Sequence, residues 1–179
     1  SVGIALKRAG DTIILIGESE GWLGASLYVR ELCKSDEISK QVWAPPPVDL
    51  GWEKRNGGLV RAVIEGELVS ACHDISDGGL LVALAEMALA GRLGLDIKTP
   101  DEAPAAHAFL FGEDQGRYVL SAPDPQPILA SAHAVGVTAT VLGKVTAGGS
   151  LTLDGRVLIS VEELRSAHEG WLPAYMSAQ

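Results

Sequence analysis

Residues 80–91 are predicted to form a helix that is apolar on nearly every side. Its apolar side chains are Leu80, Leu81, Leu84, Met87, Ala88 and Leu89. A helix of this kind is stable only when other elements cover it all round, so it belongs inside a layered domain. Gly91 is predicted to cap its C-terminus.

A second segment, residues 12–16, is apolar at every position and has the length of a strand. Such a run is typical of a strand that is covered on both faces. Other strands are predicted over 68–72, 93–98, 117–121, 138–145 and a hairpin over 151–158. Other helices are predicted over 26–34, 49–65, 125–135 and 161–168. This order predicts one α/β domain, in which helices cover a mixed sheet, and the 179 residues suit one such domain.

The composition of the chain excludes several classes of binding partner and of cellular location. The chain has 14 Lys and Arg against 23 Asp and Glu, a formal net charge of −9, so we do not expect nucleic-acid binding. No apolar run reaches the roughly 20 residues of a membrane span. No signal peptide is expected, because Lys7, Arg8 and Asp11 interrupt the first apolar residues. Two cysteines, Cys33 and Cys72, are too few for a disulfide framework, which favours the reducing cytoplasm.

A polar segment joins the second predicted strand to the buried helix and carries the clearest indication of chemistry. The start of a helix exposes free N–H groups and a partial positive charge, which attract anions. Gly78 and Gly79 would let a phosphate approach the backbone, and Ser76 would add a hydroxyl. Asp74 and Asp77 offer the oxygen ligands that Mg²⁺ prefers. The pattern leaves two interpretations open: a helix cap at a tight turn, which is the commoner role of these residue types, and a nucleotide and magnesium site.

A second polar segment consists of Glu113, Asp114 and Gln115, and it lies between two glycines before a predicted strand. Such a loop could hydrogen-bond a ligand's hydroxyl, amide or phosphate groups. The alternative, a solvated polar turn, is the commoner outcome for residues of these types.

The order of these motifs resembles one enzyme family. The His-Asp-Ile-Ser-Asp-Gly-Gly-Leu sequence at 73–80, followed by Ala-Leu-Ala-Glu-Met-Ala at 83–88, is similar to the C-terminal region of the phosphoribosylformylglycinamidine synthase subunit II (PurL) family. The Phe-Gly-Glu-Asp-Gln stretch at 111–115 and the Trp-Leu-Pro-Ala tail at 171–174 agree with it. The resemblance implies an α/β (α+β) fold, a three-layer α/β/α arrangement with a mixed sheet flanked by helices. This is the C-terminal domain type of aminoimidazole ribonucleotide (AIR) synthase.

The resemblance also implies a reaction. The family is an ATP-dependent carbon–nitrogen ligase of purine biosynthesis, which converts formylglycinamide ribonucleotide, ATP and glutamine-derived ammonia to formylglycinamidine ribonucleotide. Residues 1–179 would be a single C-terminal domain of this larger synthase, with 1–10 as the tail of the preceding linker. The implied cofactors are ATP or ADP and Mg²⁺. The implied partners are the synthase's N-terminal domains, a glutaminase subunit and a small accessory subunit, and the chain alone is expected to be inactive.

The resemblance also implies roles for particular residues. In long single-chain members, the first Asp and the Ser of the motif belong to an auxiliary nucleotide–magnesium site, which implies this role for Asp74 and Ser76. Glu113, Asp114 and Gln115 match a substrate-contacting Glu-Ser-Gln loop, with Asp114 in place of Ser. We therefore expect a pseudo-site that holds a structural nucleotide or nothing. Two alternatives stay open: a structural or interaction module without its own ligand, and the same domain of AIR synthase or selenophosphate synthase.

Overall fold

The computed structural model describes residues 2–33 and 44–177, which form a seven-stranded sheet and six helices. The strands are β1 (Thr12–Ile16), β2 (Ala71–Asp74), β3 (Gly94–Ile97), β4 (Tyr118–Ala122), β5 (Ala139–Thr146), β6 (Ser150–Leu153) and β7 (Arg156–Ser160). The helices are α1 (Leu27–Leu32), α2 (Leu50–Glu65), α3 (Gly79–Gly91), α4 (Ala106–Phe111), α5 (Gln126–Ala134) and α6 (Val161–Ser177). The predicted end of the first helix at Lys34 lies outside the described residues.

The strands are ordered β2-β4-β1-β5-β3-β6-β7 across the sheet. β3 and β6 pair in parallel, and the other neighbours pair antiparallel, so the prediction of a mixed sheet is confirmed. The register places Ile16 opposite both Tyr118 and Ala139, and Asp74 opposite Tyr118. The segments after β1 and β2 therefore meet the segments before β4 and β5 at one end of these strands.

The side chains of β1 show why all five of its residues are buried. Ile13 and Leu15 belong to one core cluster, which includes residues of α3, α4 and α6. Ile14 and Ile16 belong to a second cluster, with residues of α2 and α5. Successive strand residues point to opposite faces, so β1 is covered from both sides as predicted. The two clusters separate the helices into two layers, and the three-layer α/β/α arrangement is confirmed.

Helix α3 is buried as its composition predicts, with Leu80, Leu84 and Met87 almost completely inaccessible. Its predicted C-terminal cap is wrong by one residue. Gly91 lies inside the helix, and Arg92 is the C-cap in the left-handed conformation, with φ of 54°. Gly91 has a different role: the backbone of Leu6 lies where any side chain at this position would stand.

Three other elements differ from the sequence predictions. β2 begins at Ala71 rather than at residue 68, and α4 lies in a part of the chain where no helix was predicted. α4 forms because Phe109 and Leu110 pack into the first core cluster, although its N-cap, Ala105, offers no capping side chain. α6 continues to Ser177, well past the predicted end at residue 168, even though it contains Pro173.

No helix in residues 2–33 and 44–177 combines the length and the apolar character that crossing a membrane requires. Cys33 and Cys72 are both free thiols. Burial, and secondarily the charge of Asp74, raises the pKa of the Cys72 thiol to about 11. Cys72 is therefore a weak nucleophile at neutral pH, because the thiolate is the reactive form.

Candidate functional site

Three polar loops converge where the central strands end. They are residues 17–26 after β1, residues 75–78 after β2, and residues 112–117 before β4. Side chains of the third loop hydrogen-bond to the other two, and we call Glu113, Asp114 and Arg117 the loop latch. The latch makes the three loops one structural unit.

Glu113 ties the start of two helices together. Its Oε1 accepts the backbone N–H of Gly78 at 2.7 Å and that of Leu27 at 2.8 Å. Gly78 is the N-cap of α3, and Leu27 is the first residue of α1. A carboxylate is favourable there because helix N-termini carry free N–H groups and a partial positive charge. A carboxylate of this chain thus takes one of the backbone N–H groups that the sequence offered to a phosphate.

Asp114 secures the loop after β1. Its carboxylate oxygens accept the backbone N–H groups of Gly21 at 3.1 Å and Trp22 at 3.0 Å. Nη2 of Arg117 lies 3.5 Å from Asp114 Oδ2. Because only 9% of Asp114 is exposed, the interpretation as a solvated turn is wrong for this residue. Gln115, in contrast, is exposed, and its Nε2 donates to the backbone carbonyl of Glu113 at 3.2 Å.

Arg117 completes the latch and is 1% exposed. Its Nε donates to the Asp114 carbonyl at 3.2 Å, its Nη1 to Ser19 Oγ at 2.8 Å, and its Nη2 to the Gly112 carbonyl at 2.6 Å. Burial lowers the pKa of the guanidinium, and the nearby Asp114 carboxylate opposes this decrease. Sequence reasoning missed this role; the available signal was a lone cation at the start of an otherwise apolar strand, where charged residues are rare unless paired.

Gly78 and Gly79 are buried and have φ values of 82° and 72°. A Cβ on Gly79 would lie 2.6 Å from the carbonyl oxygen of Gly112 and 2.7 Å from the carbonyl carbon of Phe111. A Cβ on Gly78 would lie 2.5 Å from a methyl group of Val82. Both the left-handed conformation and the close packing require glycine. The space beside Gly79, which the sequence offered to a phosphate, is therefore filled by the backbone of Phe111 and Gly112.

Asp74, Ser76 and Asp77 are exposed beside this turn. Asp74 Oδ1 lies 3.2 Å from Nδ1 of His73, whose Nε2 lies 2.8 Å from Glu86 Oε2. These oxygen atoms match the ligand preference of Mg²⁺. In the described part of the chain, however, no group of three or more His, Cys, Asp or Glu side chains is placed to hold a metal ion. The residues fit a magnesium site only if the nucleotide, water or another domain supplies further ligands.

A cleft of about 270 Å³ opens beside the latch, between the loop after β1 and the start of α2. Its five carboxylates belong to Glu18, Glu20, Asp49, Glu53 and Asp114. The indole of Trp52 and the amide of Asn56 also line it. This concentration of negative charge repels a bare anion and favours a cation or a cation-bound phosphate.

Tyr118 lies between the acidic cleft and the exposed segment that follows β2. Burial raises the pKa of its phenol, and the charges of Asp74, Glu53 and Cys72 raise it further. The phenol therefore stays protonated at neutral pH and can donate a hydrogen bond. A Cβ on Gly57 of α2 would lie 3.4 Å from the Tyr118 hydroxyl, so the phenol lies beside α2.

Residues 8–156 match the family described as AIR synthase related protein, C-terminal domain, and the chain belongs to this family. Individual curated proteins match nearly the whole chain, including residues outside the family match. The phosphoribosylformylglycinamidine synthase subunit PurL of Methylocella silvestris is 51% identical over 177 residues, which are 98% of this chain and 23% of that protein. The chain thus spans about a quarter of the length of the curated relatives that it matches.

Solved structures share this architecture. T. maritima PurL complexed with FGAR gives a TM-score of 0.73 at 22% identity, covering 91% of this chain and 29% of that one. T. maritima PurL complexed with ATP gives a TM-score of 0.66 at 20% identity, covering 91% of this chain and 27% of that one. At these identities the likeness establishes the fold alone, and the family match over residues 8–156 confirms the AIR synthase C-terminal type.

Proposed function

We propose that this chain is the C-terminal domain of a PurL-type phosphoribosylformylglycinamidine synthase. The observation that carries the proposal is the 51% identity to such a subunit, which extends over 98% of the chain. The whole synthase would convert formylglycinamide ribonucleotide, ATP and glutamine-derived ammonia to formylglycinamidine ribonucleotide. It would work in the cytoplasm, where the two free thiols remain reduced.

Within that synthase, the chain contributes one wall of a nucleotide site between domains. Asp74, Ser76 and Asp77 have exposed oxygen atoms that would hold Mg²⁺, and the ion would offset the charge of the ATP or ADP phosphates. Gly78 and Gly79 shape the turn that holds these residues, while Glu113 takes the N–H of Gly78. The missing ligands come from the synthase's N-terminal domains. The word "subunit" in the relative's name supports an assembly, for which we propose a glutaminase subunit and a small accessory subunit.

The proposed function is tested with a chimera, the Methylocella silvestris subunit in which this chain replaces the matching quarter. The chimera is expected to release ADP from ATP in the presence of formylglycinamide ribonucleotide, ammonia and Mg²⁺, within about tenfold of the parent rate, a barrier change near 1.4 kcal/mol. The chain alone is expected to show no turnover, because its nucleotide wall is incomplete. A chimera that folds, as judged by circular dichroism, but has no activity would contradict the proposal.

A second candidate, a structural module without its own ligand, is favoured by one observation: Glu113 already occupies the N-terminal end of α3. Calorimetric titration of the chimera with ADP and Mg²⁺ separates the two candidates. If Asp74 is a magnesium ligand, Asp74→Asn is expected to weaken one class of nucleotide sites by about tenfold or more. Asp96→Asn, which neutralises an exposed carboxylate on β3, is the control. Identical titrations of both variants and the parent chimera would favour the module.

A further inference from the structure

We propose that residues 169–177 of α6, here called the α6 tip, dock against another domain of the longer protein. This inference rests on the proposed function, since it requires that the chain be part of a longer polypeptide. The occupant is a neighbouring domain with an apolar surface patch. The argument combines the exposure of the α6 tip, its relation to the core and its place outside the general family domain.

The α6 tip exposes large apolar side chains in one group. Trp171 is 66% exposed, Leu172 and Tyr175 are 55% exposed, and Met176 is 68% exposed. The rings of Trp171 and Tyr175 stack, with centroids 5.3 Å apart and an interplanar angle of 11°. Single exposed apolar residues are common on protein surfaces, but a contiguous group of four indicates an interaction site.

The same helix face is buried at the other end of α6. Val161 is 5% exposed, and Leu164 packs against the first core cluster. Leu164, Trp171 and Tyr175 lie on one face, because residues spaced by seven and four positions align on an α-helix. The face that packs on the core at Leu164 therefore carries exposed aromatic rings at its far end, beyond the exposed His168.

The α6 tip has little to hold it in a helix by itself. Short helical segments without tertiary contacts are marginal in water. Pro173 also removes a backbone N–H from the helix interior, which weakens the helix further. A surface that covers Trp171 and Tyr175 would supply the missing packing.

The comparisons indicate what covers the α6 tip. The family-wide domain ends at residue 156, before α6 begins. The Methylocella silvestris relative, in contrast, matches 177 of the 179 residues, so α6 belongs to the part that the two proteins share. The rest of that relative, about three-quarters of its length, lies outside the matched part and would supply the neighbouring domain. A second copy of this chain is disfavoured, because a formal charge of −9 on each copy is repulsive.

Hydrogen exchange of the active chimera described above tests the docking directly. Backbone amides of residues 169–177 are expected to exchange at least about tenfold more slowly in the chimera than in its Trp171→Glu variant. The matched control is Val157→Glu, since Val157 on β7 is 67% exposed and Trp171 is 66% exposed. The control is expected to leave the protection of the α6 tip unchanged.

Each outcome decides between docking and its alternatives. Fast exchange of the α6 tip in the unsubstituted chimera would overturn the docking proposal. Protection that disappears on dilution while the mass measured by light scattering halves would also overturn it, in favour of a second copy. Because ADP release is measured separately, an active chimera with an unprotected tip rejects only the docking. A folded but inactive chimera with a protected tip rejects only the proposed function.

Discussion

Replacement of Arg117 by methionine is expected to lower the free energy of unfolding by about 3–5 kcal/mol, as when one partner of a buried ion pair is removed. Methionine fills much of the same space but donates no hydrogen bond. Ser19 Oγ and the carbonyl of Gly112 would lose their donor, and Asp114 would lose its nearby cation. Unsatisfied polar groups in a buried position are unfavourable, so the three loops would separate. Urea unfolding followed by circular dichroism measures the change.

The control for this prediction is Arg61→Met on the exposed face of α2. It removes the same charge from the chain, yet it is expected to change the free energy of unfolding by no more than about 0.5 kcal/mol. Arg117→Lys should fall between the two variants, because an ammonium keeps the charge but cannot reach all the acceptors of a guanidinium. Equal destabilisation by Arg117→Met and Arg61→Met would show that the latch does not hold the loops.

The latch changes the interpretation of the polar segment before β4. Its acidic residues were predicted from sequence as ligand contacts or as a solvated turn, and the two described carboxylates instead bind backbone N–H groups of this chain. The exposed oxygens of Asp74, Ser76 and Asp77 remain for a ligand. The candidate site thus consists of loops that are hydrogen-bonded to one another and of three exposed polar side chains, and we propose that a second domain completes it.

The parts of the fold that could be predicted from sequence are those specified by local patterns. The apolar runs of β1 and α3 indicated burial on all sides because few other environments accept them. The latch could not be predicted in this way. Asp114 binds Gly21 across 93 positions of sequence, and no local periodicity reports such a contact. The types and places of the polar residues were evident, but their partners depended on how the sheet brings the loops together.

The helix boundaries show a similar division between local and tertiary causes. The sequence patterns predicted no helix at 106–111 and ended the last helix near residue 168, before Pro173. At α4, burial of Phe109 and Leu110 outweighs the missing cap. At the α6 tip no such burial exists among the described residues, which is why we assign its packing partner to another domain.

Replacement of Gly79 by alanine is expected to lower the free energy of unfolding by about 2–5 kcal/mol. The left-handed conformation at φ of 72° costs an alanine about 1–2 kcal/mol. The new Cβ would also lie 2.6 Å from the Gly112 carbonyl oxygen, and overpacking of this kind costs about 1–3 kcal/mol. Gly112 cannot easily move away, because its carbonyl accepts a 2.6 Å hydrogen bond from Arg117. Urea unfolding measures the change, with the chimera's ADP titration as a second measurement.

Gly58→Ala is the matched control, since Gly58 lies within α2 with open space around its Cα. Alanine there is expected to raise the free energy of unfolding by about 1 kcal/mol, because glycine is the poorer helix former. The two variants make the same chemical change, and their expected changes in the free energy of unfolding have opposite signs. If Gly79 served only to admit a phosphate, its replacement would weaken nucleotide binding and would cost no more than the roughly 1–2 kcal/mol of the left-handed conformation. A larger destabilisation by Gly79→Ala in the absence of any nucleotide would instead assign the glycine to the packing between α3 and the third loop.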